Sequence, residues 1–167
     1  MNWIAIIVAA LVPTLIGFVW YHEKVMGTLW MRETGLTKEM IEKDFNIAKT
    51  MGISLILSVM LSVFIGPSVI HQFSVQSALM DALADPARKD AAQAIVDQFN
   101  GDGIYANDFR TFKHGALHGA MIGIFYIFPV IALNGMYEKK SMKLSFINAA
   151  YWTLTLALMG GIICMWK

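Results

Sequence analysis

The chain has 167 residues, 57% of them hydrophobic and only 15% charged, with a net charge of +1. Soluble domains of this size take nearer ~45–50% of their residues from the apolar set, and a near-neutral balance offers no electrostatic footprint for nucleic acid. A water-soluble globule and a nucleic-acid binder are thereby excluded, and the length allows one domain, residues 1–167.

The charges are segregated. No Asp, Glu, Lys or Arg occurs in windows 1–22, 50–80, 115–137 or 144–166. Each window holds a run near the ~20 apolar residues that a helix needs to cross a bilayer. The expected fold is all-α and integral to the membrane. It has four transmembrane helices at 3–21, 47–70, 114–137 and 144–166, and a polar insert at 72–113.

The first helix lacks a basic n-region and a small-x-small cleavage site, so it is expected to be a retained span. It leads into "WYHEKVMGTLWMRETGL", where Trp20, Tyr21 and Trp30 form an interfacial aromatic belt, joined by His22. A short helix lying along the membrane surface is expected there. Thr37 suits an N-cap and Glu39 pairs with Lys43 at i,i+4, so the second helix is expected to start near Lys38 and project beyond the bilayer. Within it, Ser54, Ser58, Ser62 and Gly66 form a ridge of small residues.

In the insert, Asp85 suits an N-cap, Pro86 the first helical position, and Asn100–Gly101 the stop. Ile95 and Phe99 share a face and are expected to pack that helix onto the protein. The "NGDG" run lacks acidic residues where the first and twelfth ligands of a calcium loop belong, which excludes that site.

The third helix opens with "KHGALHGAMIG". Gly115, Gly119 and Gly123 form a second small-residue ridge. Lipid gives helices no hydrophobic reason to associate, so close backbone packing must help hold them together. Antiparallel neighbours would set Gly66 near Gly115, Ser62 near Gly119 and Ser58 near Gly123; alternatively, one ridge faces a second protomer. Asn134 and Asn148 are placed to bond across the last hairpin, and Pro13 and Pro129 to kink their helices. Cys164 is the only cysteine, so no internal disulfide forms.

His114 and His118 lie one position before two of those glycines, on one face about 100° round from the ridge. His71 ends the second helix on the same side of the membrane, with Asp102 and Asp108 nearby in sequence. Three imidazoles together with these two carboxylates suit a zinc or copper site. They also suit a proton relay, because histidine titrates near neutral pH. The plain alternative is structural: histidines near helix ends that bond a neighbouring carbonyl. No cofactor is called for otherwise.

Lys and Arg set the orientation. Eight (Lys24, Arg32, Lys38, Lys43, Lys49, Lys139, Lys140, Lys143) flank one side and five (Arg88, Lys89, Arg110, Lys113, Lys167) the other. The richer side is expected to be cytoplasmic, with both termini outside.

The run from Pro13 to Leu36 resembles the signature of a bacterial membrane family known as domain of unknown function 1761. The residues that carry it are Gly17, Phe18, Trp20, Tyr21, Gly27, Trp30 and Met31, and "LHGAMIG", "MYEKKS" and "FINAAYWTLTLALMGGIICMWK" extend it along nearly the whole chain. The resemblance implies a compact four-helix protein of a bacterial inner membrane and no established activity.

No nucleophile–base arrangement, phosphate loop or paired intramembrane carboxylate is present, so the chain is not expected to be an enzyme. The leading expectation is an assembling or accessory subunit in the lipid bilayer, as a homo-oligomer or part of a larger complex. The alternatives are a His-lined metal-binding or proton-conducting protein, and an oligomeric channel or carrier.

Overall fold

The computed structural model describes residues 2–43 and 45–167, and every regular element among them is helical. In chain order these are α1 (Trp3–Trp20), α2 (Thr28–Thr34), α3 (Lys38–Glu42), α4 (Ile47–Val69), α5 (Gln72–Ala78), α6 (Met80–Ala84), α7 (Lys89–Asp97), α8 (Phe112–Ile122), α9 (Phe128–Tyr137) and α10 (Met142–Met165). Single wide turns of π geometry, Glu23–Gly27 and Gly123–Ile127, follow α1 and join α8 to α9. Four segments are long and apolar enough to cross a membrane: Trp3–Trp20, Ile47–Val69, Phe112–Tyr137 and Met142–Met165. The fold is that of an integral membrane protein.

Local chemistry sets where each span begins. Asn2, Asn46, Thr111 and Ser141 each turn a side-chain oxygen back onto free N–H groups of the first turn. Asn46 corrects the expected projecting helix. The chain leaves helical geometry at Lys43 (φ −64°, ψ 126°) and re-enters at Ile47 under the Asn46 cap. The preceding α3 is a separate short helix. Lys38 reaches Glu23 at 3.3 Å and ties it back to the turn below α1.

α10 is the centre of the bundle. Half of its apolar window is buried, against a third or less in the other spans. Ile6, Ala9 and Val12 of α1, Ile65 and Val69 of α4, and Leu156, Met159, Ile163 and Cys164 of α10 make one core. Between apolar helices in lipid, such contact is worth its dispersion energy and little hydrophobic energy, so closeness of approach decides which helices pair.

The pairing differs from the expected one. Gly115, Gly119 and Gly123 face α10 of the same chain. A Cβ on Gly115 would lie 2.1 Å from the Gly160 carbonyl oxygen, one on Gly119 2.0 Å from that of Leu156, and one on Gly123 2.5 Å from Thr153 Cα. No side chain fits in that seam. Ser58, Ser62 and Gly66 of α4 are buried as well. Ser54 and Ser58 look toward α1 and α10, across a cleft shared with Pro13, Gly17 and Tyr151. The Ser62 hydroxyl donates to the Ser58 carbonyl in its own helix.

Polar ties between helices also run elsewhere than expected. The Asn148 amide oxygen accepts from the Tyr21 hydroxyl at 3.1 Å, so it links α10 to the end of α1 rather than to Asn134. The buried Tyr151 hydroxyl donates to the Pro13 carbonyl at 2.8 Å. Pro129, which lacks an N–H, falls at the start of α9 just after the Gly123–Ile127 turn, where the helix is already widened.

The insert closes over one end of the bundle. The Asp85 carboxylate accepts from the Ala87 N–H and pairs with Arg88 at 2.7 Å, opening a turn that becomes α7 only at Lys89. Ala92 and Val96 are the buried face of α7, whereas Ile95 is exposed, so the packing stripe is one position off the expected one. Phe99 packs instead on Tyr105. The Gln72 amide donates to the Tyr105 and Asp108 carbonyls, and the Arg110 guanidinium donates to the Cys164 and Trp166 carbonyls at 2.7 and 2.6 Å. A cation thus caps the C-terminus of α10, where the helix dipole is negative.

Candidate functional site

The end of the bundle covered by the insert is where the histidines meet. α4 stops at Val69, and Ile70 takes an extended conformation (φ −114°, ψ 102°) with its side chain buried. That step delivers His71 to the start of α5, over the mouth of the third span. On that span, the Thr111 hydroxyl accepts from the His114 N–H and fixes the first turn of α8. His114 and His118 then stack one turn apart.

The three rings converge. His71 Nε2 lies 2.7 Å from His114 Nε2, close enough that one ring nitrogen carries the proton that the other accepts. Ring centroids stand 5.1 Å apart for His71 and His118, and 4.6 Å apart for His114 and His118. One nitrogen from each ring lies within 4.8 Å of the other two. His71 is exposed, while His114 and His118 are half-buried, so the cluster opens outward through His71.

The spacing suits a small transition-metal ion. Two imidazole nitrogens at ~2.0–2.1 Å from a tetrahedral ion stand about 3.3 Å apart. The His71–His114 pair need open by only about half an ångström, whereas the widest contacts, up to 4.8 Å, need close by up to about 1.5 Å through rotation of the rings. Asp102 and Asp108 do not join the cluster, which among the described residues is made of histidine alone. Neutral ligands leave the full charge of a bound dication uncompensated, so a fourth position would attract water or an anion.

Phe109, which no sequence motif marks, packs against the site. Its ring stands 5.7 Å from His71 and 5.1 Å from His114. Its backbone is in the left-handed region at φ 60°, a conformation that costs a bulky residue of order 1 kcal/mol or more. Tight binding of its neighbours holds it there. The Phe109 carbonyl lies 3.4 Å from the Cys164 thiol, and Arg110 is clamped onto the end of α10. His118 also reaches into an apolar groove of about 620 Å³ between α4 and the third span, beside Met121 and Phe125.

At the opposite end, Tyr21 and Trp30 meet edge to face at 5.5 Å. Trp20 points the other way, to Phe128 and Phe146, with its indole N–H buried and unpartnered. The His22 Nδ1 accepts from the Lys24 N–H and caps the wide turn.

Residues 4–164 match the family described as a protein of unknown function (DUF1761), and the chain belongs to that family. No curated protein and no solved structure matches it.

Proposed function

We propose that the protein is a membrane-embedded binder of a transition-metal ion, held by His71, His114 and His118. The observation that carries this reading is the convergence of three imidazoles, drawn from two helix ends, to within 4.8 Å. Imidazole is a borderline ligand that favours Zn2+ and Cu2+ over Mg2+ or Ca2+. Three such ligands leave an open position, through which an ion can enter and leave by way of exposed His71. Among the described residues the group of ligands holds no carboxylate.

The bias of basic residues places the cluster on the non-cytoplasmic side in this reading, where it would meet metal from outside the cell. The expectation of an assembling subunit rests on the glycine and serine ridges, the surface helix and the second helix as contact surfaces; of these, the ridge of Gly115, Gly119 and Gly123 is taken up by α10 of the same chain.

The test is metal titration of the full chain in nanodiscs after stripping with a chelator, with Zn2+ and with Co2+ as a coloured reporter. One ion per chain is expected, with a tetrahedral Co2+ spectrum. His118→Ala and His114→Ala each remove a ligand outright and should weaken binding by more than the ~10–100-fold that losing a ligand's outer hydrogen-bond partner costs, while the thermal midpoint stays near that of the parent. Equal, weak uptake by the parent and by a variant with His71, His114 and His118 all changed to Ala would sink the proposal.

A further inference from the structure

A cavity of about 860 Å³ lies at the end of the bundle away from the histidines, under the surface helices α2 and α3. Its walls are aromatic: Phe18, Tyr21, Trp30 and Trp152 line it. Its rim is charged, with Glu23, Lys38 and Glu42. A size within ~300–1,000 Å³, apolar walls and a few convergent polar groups are the ordinary features of a small-molecule site.

The chemistry of the lining narrows the ligand. The Tyr21 hydroxyl is already bonded to Asn148, so the four aromatic side chains offer mostly apolar ring surface to a ligand. Trp, Tyr and Phe faces are negative and attract cations. At the rim, among the described residues, two carboxylates stand against one ammonium. Lys38 pairs with Glu23 at 3.3 Å, and Glu42 also lines the cavity. Both lysine and Glu23 side chains are more than half exposed, so their pairing is loose and exchangeable. Glu23 first, then Glu42 and Glu39, hold the Lys38 ammonium charged above its ordinary range, which reflects the surplus of negative charge at this mouth.

We infer that this cavity binds a lipophilic organic cation, an amine or onium ion with an apolar body, seated on the aromatic walls with its charge toward Glu23 and Glu42. The inference rests on this cavity alone and is independent of the histidine cluster.

A matched pair of ions tests it: tetraphenylphosphonium and tetraphenylborate share shape and apolar surface and differ in the sign of charge. Equilibrium dialysis against the full chain in nanodiscs, corrected with empty nanodiscs, should show saturable binding of the phosphonium, about one per chain, and none of the borate. Glu42→Gln and Trp30→Ala should each weaken it by about tenfold. Trp30→Phe should keep most of it, and Asp90→Asn, which removes a distant charge on α7, should leave it unchanged. Equal uptake of the two ions would show plain apolar partition and overturn the inference. Phosphonium binding that ignores both Glu42→Gln and Trp30→Ala would overturn it too.

Discussion

Gly119→Ala isolates the seam between the third span and α10. The new Cβ would stand 2.0 Å from the Leu156 carbonyl oxygen, 2.6 Å from its carbon and 3.0 Å from Ala157 Cα. All three are backbone atoms that no rotamer change can move, so the helices must part by at least about 1 Å. Overpacking of a close-fitted interior costs about 1–3 kcal/mol, and a backbone clash belongs at the upper end. Alanine returns about 1 kcal/mol in helix propensity. The net is about 2 kcal/mol of destabilisation, or roughly 4–8 °C in the thermal midpoint of a chain this size. Gly52→Ala is the matched control, because nothing lies within 4 Å of its added Cβ in α4. It should gain about 0.5–1 kcal/mol and melt slightly higher. Both variants are read by thermal unfolding in one detergent, with size-exclusion chromatography on the same samples. If Gly119→Ala melts with the parent, the seam is misplaced. If it melts with the parent but changes oligomer size, the glycines serve a contact between chains and the intramolecular seam is wrong.

Arg110→Ala removes two hydrogen bonds to the last carbonyls of α10 and the cation at its negative end. With the guanidinium half-buried, a loss of about 1–2 kcal/mol is expected, together with faster amide exchange at residues 162–166; unchanged protection there would refute the cap. Glu33 accepts from the Ser141 hydroxyl at 2.6 Å and stands 3.6 Å from both Lys143 and Arg32. Ser141 first, then the two cations, hold its carboxyl below the usual value of 4.5. The stability this gives is complete above that unfolded-state value and is lost as pH falls through the lower folded value. The midpoint of the parent should therefore exceed that of Glu33→Gln near neutral pH, and the two should merge in acid; a gap that persists in acid would refute the assignment.

Composition made the spans legible because a charge inside hydrocarbon is so unfavourable that each span falls almost wholly within a charge-free window, although the second window, 50–80, runs well past the end of its span at Val69. Helix starts were readable where a capping side chain was recognised. "FNIAK" carried the Asn46 signal, and a continuous helix from Lys38 overlooked it. Helix pairing was another matter. A small-residue ridge announces that some backbone comes close without naming which one. α4 offered serines, but α10 offered Gly160, whose own Cβ would lie 2.4 Å from the Gly115 carbonyl oxygen. "MGGI" was the available cue. His114 and His118 followed from helical spacing, and His71 from counting crossings, since the end of one span and the start of the next share a side. Phe109 and the cavity under α2 and α3 had no such signature, because each depends on how an irregular connection folds back.

"KHGALHGAMIG" therefore holds a seam and a candidate site at once, and the first positions the second. The glycines fix how close α8 approaches α10. The histidines, about 100° round the helix, are thereby aimed at the end of α4, where Ile70 presents His71. Arg110 and Cys164 then pin the connection that brings Phe109 against the rings. Gly115→Ala tests this dependence without touching a ligand. Its Cβ would meet the Gly160 carbonyl oxygen at 2.1 Å and Cys164 Cβ at 2.4 Å, so the first turn of α8 must lift away from α10, carrying His114 with it. A displacement near 1 Å exceeds what a metal site tolerates in its ligand positions. Co2+ affinity should fall about tenfold or more, with all three histidines intact and the protein still folded at the temperature of the titration. Affinity equal to that of the parent would mean that the imidazoles find the ion without the seam, and that their convergence owes nothing to the glycines.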